Sequence, residues 1–294
     1  MQKKLILSAL MLTFLATGCA TEVKSNLGLM QKITGLKTPE SVVQAKNGKI
    51  YVSEINEFGK DGDGQITVIE NGTKRVIATG LDDPKGLAII GKTLYVADKT
   101  KIMKIDLDGV DVNAPVQTFV AASAFPVTPL FLNDLEADPQ GNLYVSDSGD
   151  LFGSGKGGAI YKISPKGEVK LLINDTQDAR VKAPNGLLAD DTGNALIYVD
   201  FASGILYSLN TKAKALNDIA EGFGGGDGLL HRSNGTMYVS DWKNGKVFSV
   251  NTKGEVALVK GGYQSAADIA LTKDEKYLMV PDMKAGELDF IPLQ

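Results

Sequence analysis

The sequence predicts an all-β fold, a six-bladed β-propeller of four-stranded blades, and three observations support this. One type of strand recurs six times along the 294-residue chain. The copies lie 40 to 54 residues apart, a spacing that suits four short strands and their turns. The fourth strand that is missing from the last copy has a counterpart at the start of the repeat region, so the ring can close.

The recurring strand centres on a Tyr-Val pair, which is Met-Val in the last copy. Short runs rich in valine and tyrosine, separated by Gly, Asn and Asp, are typical of β-strands. Each copy therefore predicts the same strand of one blade. The copies lie at 49–54, 93–98, 142–147, 196–201, 236–241 and 277–282.

Three more strands accompany each copy. A shorter strand precedes it, as at 41–44, and a third strand follows it, as at 65–69. A fourth strand, as at 74–78, follows in five copies, but the sixth copy ends with its third strand at 287–291. Because segment 31–36 has the pattern of a fourth strand, we expect this N-terminal strand to complete and close the last blade.

The first 18 residues predict an export signal. Lys3 and Lys4 precede an apolar run, Leu5 to Ala16, that is too short to span a bilayer comfortably. The five residues that end at Cys19 resemble a bacterial lipobox, in which the cysteine is lipidated and becomes the mature N-terminus. The alternative is a signal peptide whose cleavage site happens to contain a cysteine.

The chain is thus predicted to have three parts: a lipoprotein signal peptide (1–18), a lipidated tether (19–30) and the propeller (31–294). We expect it in the bacterial cell envelope, on the periplasmic side of the outer membrane in a Gram-negative organism. Cys19 is the only cysteine, which excludes an internal disulfide, and if it is lipidated no thiol remains for catalysis.

The charge of the chain argues against nucleic-acid binding. Without residues 1–18 it has 29 basic and 35 acidic residues, a net charge of −6, and no basic cluster. No second apolar run is long enough to cross a membrane. We therefore expect the N-terminal lipid to be the only membrane contact. We also expect the protein to be a monomer.

Six residues at one position of the repeat are predicted to converge on the central channel. The innermost strand of each blade lines the channel of a propeller, and the loop that enters this strand reaches the axis on one face. Five of the six positions carry a side-chain oxygen. In blade order they are Glu40, Lys85, Asn133, Asn185, Asp227 and Asp268.

These oxygens favour a divalent cation, calcium before others, because carboxylates and amides are hard ligands and no histidine or cysteine adjoins them to favour zinc. Several carboxylates at one channel mouth would also repel each other without a cation. The alternative is that they are turn residues, since Asn-Asp, Asn-Gly and Asp-Gly are common in turns. Glu40 is not a typical turn residue.

The contexts of these residues resemble the gluconolactonase, regucalcin and strictosidine-synthase-like group of six-bladed propellers, the senescence-marker-protein family. Segment 133–141 and the turn 184–187 are its most specific pieces. The resemblance implies that Asp134 matches an acid that some phosphotriesterase and lactonase relatives keep in the site. It also implies a calcium ion bound by Glu40, Asn133, Asn185 and Asp227.

The resemblance and the chemistry of these residues favour a calcium-dependent hydrolase of lactones, esters or phosphotriesters. A calcium ion can polarise a carbonyl, and a carboxylate beside it can activate water or attack directly. Asp227 and Asp134 are both predicted for that role, without a choice between them. The alternative is a non-catalytic propeller that binds a ligand or an envelope partner, with calcium as a structural pin.

Aromatic residues in the loops on the metal face predict a partly apolar mouth and a substrate less polar than a free sugar acid. The residues predicted to contact this small molecule, a lactone or an ester, are Lys85, Asp268, Phe131 and Trp242. Asp268 has the alternative role of a partner for Lys85. The single histidine, His231, is predicted to line the channel or lie at the surface rather than act as a base.

Overall fold

A computed structural model describes residues 32–109 and 112–293 and confirms the six-bladed propeller. Six antiparallel sheets of four strands each form a ring. The predicted signal peptide, Cys19 and the tether lie outside the described residues. Within the described part of the chain, one short 3-10 turn at Ala122–Ala124 is the only helix, and no helix is long and apolar enough to cross a membrane.

The first three blades follow the chain in order from the channel outward. Blade 1 contains β2 (Pro39–Gln44), β3 (Ile50–Glu54), β4 (Gly64–Glu70) and β5 (Thr73–Leu81). Blade 2 contains β6 (Pro84–Ile90), β7 (Thr93–Asp98), β8 (Lys101–Asp106) and β9 (Val116–Val120). Blade 3 contains β10 (Leu132–Ala137), β11 (Leu143–Asp147), β12 (Ala159–Ile163) and β13 (Val169–Asn174).

The other three blades have the same arrangement, except that the last takes a strand from the start of the chain. Blade 4 contains β14 (Pro184–Ala189), β15 (Ala195–Asp200), β16 (Ile205–Asn210) and β17 (Ala215–Glu221). Blade 5 contains β18 (Gly226–His231), β19 (Met237–Asp241), β20 (Lys246–Val250) and β21 (Val256–Gly261). Blade 6 contains β22 (Ala270–Leu271), β23 (Tyr277–Asp282), β24 (Glu287–Pro292) and β1 (Ile33–Thr34).

The predicted closure of the ring by the N-terminal strand is confirmed. Ile33 pairs with Leu288 and Thr34 with Glu287, antiparallel to the last strand. The Lys32 ammonium lies 2.8 Å from the Glu287 carboxylate, and the Leu36 N–H donates to the Gly286 carbonyl at 3.0 Å.

The hydrophobic core consists of layers between neighbouring blades. One buried cluster packs Ile66 and Val68 of blade 1 against Val96 of blade 2, and equivalent clusters follow around the ring. The last layer packs Met279 of blade 6 against Val52 of blade 1. The residues of the Tyr-Val repeat recur because they fill these layers, where burial of apolar area stabilises blade against blade.

Candidate metal centre and substrate cavity

A β-bulge turns the predicted channel residue inward in blades 1 to 5. In blade 1, Pro39 pairs with Glu54 but the next pair is Val42 with Val52, so two residues, Glu40 and Ser41, oppose one. The same shift occurs at the start of β6, β10, β14 and β18. Because a bulge re-aims side chains, it points the second residue of each inner strand toward the axis.

The inner strands approach each other closely beside these bulges. A Cβ placed on Gly186 would lie 2.4 Å from the Asp227 carbonyl oxygen, and one on Gly228 would lie 2.4 Å from the Ile269 nitrogen. A Cβ on Gly86 would be similarly close to the Leu135 nitrogen, at 2.5 Å. Glycine after the channel residue therefore lets backbone pack against backbone around the axis.

An acidic residue at the end of each blade's second strand holds the loop that leads to the channel residue. Its carboxylate accepts backbone N–H groups two to four positions before that residue, and such charge-assisted hydrogen bonds are strong. Asp200, for example, accepts from Lys182 at 3.0 Å and from Ala183 at 2.8 Å, just before Asn185. We call these six residues the loop-clamp acids. They are Glu54, Asp98, Asp147, Asp200, Asp241 and Asp282.

The four predicted metal ligands are buried side chains that line a single cavity. Glu40, Asn133, Asn185 and Asp227 are each 2 to 5% exposed. The Asn133 amide nitrogen donates to the Ser148 hydroxyl at 3.0 Å, and the Asn185 amide nitrogen donates to Asp227 Oδ1 at 3.1 Å. Because both amide nitrogens are engaged as donors, the two amide oxygens are the groups left for a cation.

Glu40 provides the strongest sign of a missing partner. Its Oε2 is buried and has no hydrogen-bond partner among the described residues. Burial and the charges of Asp227 and Asp268 raise the pKa of Glu40 well above its usual value. A buried, unsatisfied carboxylate is costly. A divalent cation would both complete its coordination and offset the repulsion.

Asp227 is in a similar environment. Burial, together with the nearby charge of Asp134, raises the pKa of Asp227 to about 8, although the Asn185 hydrogen bond lowers it. Within residues 32–109 and 112–293, no group of three or more His, Cys, Asp or Glu side chains is arranged to hold a metal ion. Only two of the four predicted ligands are carboxylates, so any cation here would depend equally on the two amide oxygens, a donor set that suits calcium.

Lys85 occupies the equivalent position of blade 2 and is also buried. Its ammonium donates to the Asp83 carbonyl at 3.1 Å and lies 4.3 Å from the centre of the Phe131 ring. Burial lowers the pKa of Lys85, while the charge of Glu40 opposes that change. Lys85 thus places its amine beside the predicted metal ligands, and no carboxylate in the described chain lies within ion-pair distance of it.

The cavity has a volume of about 50 Å³ and a largely aromatic outer wall. Phe131 and Trp242, two of the predicted substrate contacts, form part of this wall. Phe58, Phe152, Phe201 and Met283 also line it. Phe58 was not predicted from the sequence, because a single aromatic in a long loop carries no positional signal.

Asp134 and Asp268 do not line this cavity but belong to a second one, of about 270 Å³, at the other end of the channel. Asp134 accepts backbone N–H groups from Leu187 and Leu135, both at 2.7 Å. The pKa of Asp134 is raised to about 6 by burial, against the effect of those hydrogen bonds. Asp268 accepts from the Ser41 hydroxyl at 2.5 Å and has no hydrogen bond with Lys85 within the described structure.

His231 is exposed at the end of β18, with its ring Nδ1 3.2 Å from the Arg232 carbonyl oxygen. It borders the second cavity, on the face opposite the predicted metal ligands. This placement agrees with a surface position.

Known proteins share this architecture and part of the sequence. Protein STRICTOSIDINE SYNTHASE-LIKE 3 of Arabidopsis thaliana is 25% identical over 239 residues, which are 70% of this chain and 59% of that protein. The chain therefore spans about 59% of the length of this curated relative.

Two solved structures show the same fold. Regucalcin from Agrobacterium tumefaciens str. C58, described as a calcium-binding protein, superposes with a TM-score of 0.72 over 90% of this chain and 93% of its own, at 17% identity. A chain of a nidogen/laminin complex superposes with a TM-score of 0.60 over 75% of this chain and 78% of its own, at 20% identity. Residues 38–280 match the family described as "SMP-30/Gluconolactonase/LRE-like region". The chain belongs to this family.

Proposed function

We propose that this protein is a calcium-dependent hydrolase of lactones, esters or phosphotriesters. The observation that carries the proposal is the buried Glu40 carboxylate, whose Oε2 lacks a partner among the described residues in a cavity that it shares with Asn133, Asn185 and Asp227. Membership of the SMP-30/gluconolactonase family supports the proposal, as does the likeness to a calcium-binding regucalcin.

Each residue has a distinct role in this proposal. Glu40, Asn133, Asn185 and Asp227 would hold the cation. A bound calcium ion supplies positive charge that polarises a carbonyl or phosphoryl oxygen. In this proposal the Asp227 carboxylate would orient water and accept its proton, and the hydrogen bond from Asn185 to one of its oxygens supports this role. We assign Asp134 a positioning role, because both of its oxygens accept backbone N–H groups.

A panel of lactones, aryl esters and phosphotriesters, assayed with calcium and with chelator, tests this function. We expect turnover that needs calcium, and its loss in Asp227→Asn protein. Asp134→Asn should lower thermal stability and reduce activity less than Asp227→Asn does. If calcium-loaded wild-type protein hydrolyses nothing in the panel, the hydrolase proposal fails.

One observation favours a second function, a non-catalytic propeller with a structural calcium. The inner cavity of about 50 Å³ has room for an ion and a few waters but not for a lactone ring, unless its aromatic wall moves. The same panel separates the two functions. Calcium binding without any turnover would support the binding protein.

We also propose that Cys19 carries a lipid that anchors the protein in the cell envelope, because its sequence context resembles a lipobox. Cys19→Ser protein should be soluble or unprocessed after expression in a bacterial host, whereas wild-type protein should need detergent. Fractionation followed by mass spectrometry of the N-terminus measures this. Mature Cys19→Ser protein that still needs detergent would contradict the proposal.

A further inference from the structure

We infer that a groove beside the candidate metal cavity binds small amphipathic carboxylates, molecules with an apolar body and one anionic end. The inference rests on the proposed function for the role of the neighbouring cavity, and it names the class of ligand that the groove would hold, such as the acid released when a lactone or ester is hydrolysed. It concerns binding, so it can be tested without turnover.

The groove adjoins the inner cavity and shares part of its wall. It has a volume of about 650 Å³, within the range of small-molecule sites. Four side chains border both spaces: Phe58, Phe152, Trp242 and Met283. These side chains separate the groove from the ligand cluster, so a molecule in the groove would lie directly outside the predicted metal site.

The apolar wall of the groove is open to solvent. Phe152 is 74% exposed and Phe58 46%, although both are large hydrophobic residues. Their ring centres are 6.1 Å apart, and Phe131 stacks against Phe58 at 5.8 Å. Exposed aromatic rings gathered around one opening provide contact area for an apolar ligand.

The charged residues that line the groove in the described chain are two lysines. They are Lys37 and Lys284, and none of the lining residues within 32–109 and 112–293 carries a carboxylate. In the described structure neither ammonium lies within 4 Å of a carboxylate, and Lys284 rests 4.2 Å from the centre of the Trp242 ring.

Some other lysines on the same face have acidic partners. Lys99 contacts Asp61 at 2.5 Å, and Lys101 contacts Asp82 at 2.8 Å. In a chain with an acidic surplus, unpaired cations beside exposed aromatics indicate complementarity to an anion.

The groove offers little to a polyhydroxylated ligand. Among its described lining residues, only Thr38 has a side-chain hydroxyl, and this hydroxyl already donates to the Asn56 carbonyl at 2.7 Å. A sugar acid would lose many hydrogen bonds to water on entering such a groove without replacing them. An alkyl or aryl carboxylate loses few, and it gains apolar contact and the two positive charges.

Trp242 makes the test direct, because it is the only tryptophan in the chain and borders the groove. We would titrate full-length protein with octanoate, 1-octanol and octylammonium, and follow Trp242 fluorescence and calorimetric heat. We expect saturable binding of octanoate, weaker binding of octanol and none of octylammonium. Added salt should weaken the binding of octanoate.

The Lys37→Ala/Lys284→Ala double variant should bind octanoate about three- to tenfold more weakly and octanol unchanged. Lys166→Ala, an exposed lysine in the hairpin between β12 and β13 on the opposite face, is the matched control. Calorimetry is needed here because the loss of Lys284 alters the surroundings of Trp242 itself.

Equal binding of all three ligands, or unchanged octanoate binding by the double variant, would overturn the inference. Binding of the protein to anionic phospholipid vesicles without binding of monomeric octanoate would also overturn it, in favour of a membrane contact. Calcium-dependent hydrolysis of neutral lactones could persist in either case, so the failure of this inference is distinct from the failure of the proposed function.

Discussion

Single carboxylates in this propeller are used in two different ways. Each loop-clamp acid accepts one or more backbone N–H groups of the loop before a channel residue, and this holds even for Asp98, whose Oδ2 is buried without a hydrogen-bond partner in the described chain. Glu40 clamps no loop, and its Oε2 lacks a partner among the described residues. Asp200 is the best-satisfied clamp, since its second oxygen also accepts from Ala202 and Ser203. An acid that accepts backbone N–H groups holds the chain, whereas Glu40, which faces the cavity with an unpartnered oxygen, is available to a ligand.

The clamp can be tested at Asp200. Asp200→Asn places an NH₂ group against backbone N–H donors, so we expect a loss of about 2 to 4 kcal/mol in unfolding free energy. Calcium affinity should also fall, because Asn185 follows the clamped loop. Denaturant unfolding and calcium titration measure the two effects. Asp191→Asn, at an exposed position, makes the same charge change, and an equal loss there would mean that the clamp is unimportant.

Glu136 should make stability depend on pH. It lines the second cavity together with Asp134, Asp268, His231 and Lys273. Burial, aided by the charge of Asp134, raises the pKa of Glu136 to about 8, although N–H groups of Ala137 and Ala189 lower it.

An acid whose pKa is raised in the folded state favours folding when protonated, so its contribution is complete below about pH 4.5 and is lost as pH rises through about 8. Glu136→Gln should therefore gain melting temperature relative to wild type as pH rises from 5 to 9. Glu221→Gln, at an exposed position, should follow the wild-type curve. Parallel profiles for Glu136→Gln and wild type would rule out this effect.

The sequence placed Glu40, Lys85, Asn133, Asn185 and Asp227 at one channel position, and all five line the inner cavity, but Asp268, predicted with them, lines the second cavity. Alignment of the repeats placed Glu40, Asn133, Asn185 and Asp227 together because similar turns precede them. Alignment could not predict that the side chains of Asn133 and Asp134 line different cavities. That difference comes from the β-bulge in β10, which depends on how β10 pairs with β11.

At the level of elements, strand positions followed closely from the sequence. The predicted strand 93–98 is β7 without change, and 49–54 and 142–147 are shortened by one residue each. The exception is the inner strand of blade 6, where only Ala270–Leu271 is regular. Blade 6 also takes its outer strand, β1, from the start of the chain, and this strand has only two residues. The closure of the ring therefore rests on few hydrogen bonds.

Removal of β1 should therefore weaken the whole ring. Deletion of 31–36 removes the partner of β24, the Lys32–Glu287 ion pair and the buried Leu36 side chain. We expect a markedly lower melting temperature and aggregation through the exposed edge, measured by thermal unfolding and size-exclusion chromatography.

Two variants provide the controls for this deletion. Deletion of residues 20–25, in the predicted tether, should leave the melting temperature unchanged. Leu36→Ala should cost about 2 to 4 kcal/mol without aggregation, because it creates a cavity but leaves the edge paired. If the melting curve of the 31–36 deletion matches that of wild type, the closure does not contribute to stability.

On the scale of the whole molecule, the channel gathers charge that the folded ring must accommodate. Glu40, Asp134, Asp227 and Asp268 are all buried around the axis, and burial raises the pKa of each. Unfolding disperses these groups into water. A cation that binds the closed ring and not the unfolded chain would therefore couple metal concentration to global stability.

Calcium should raise the unfolding free energy of metal-free protein by about 2.7 kcal/mol at a hundredfold excess over its dissociation constant.

Glu40→Gln should change stability differently in chelator and in calcium, each compared with wild type. In chelator it should be at least as stable as wild type, because it removes a buried charge whose Oε2 has no partner among the described residues. In calcium it should gain less, because it removes a ligand charge. Glu57→Gln, an exposed change in the same blade, should match wild type in both conditions. A calcium titration that leaves the melting temperature of wild-type protein unchanged would remove the cation from the proposed function and from the binding alternative together.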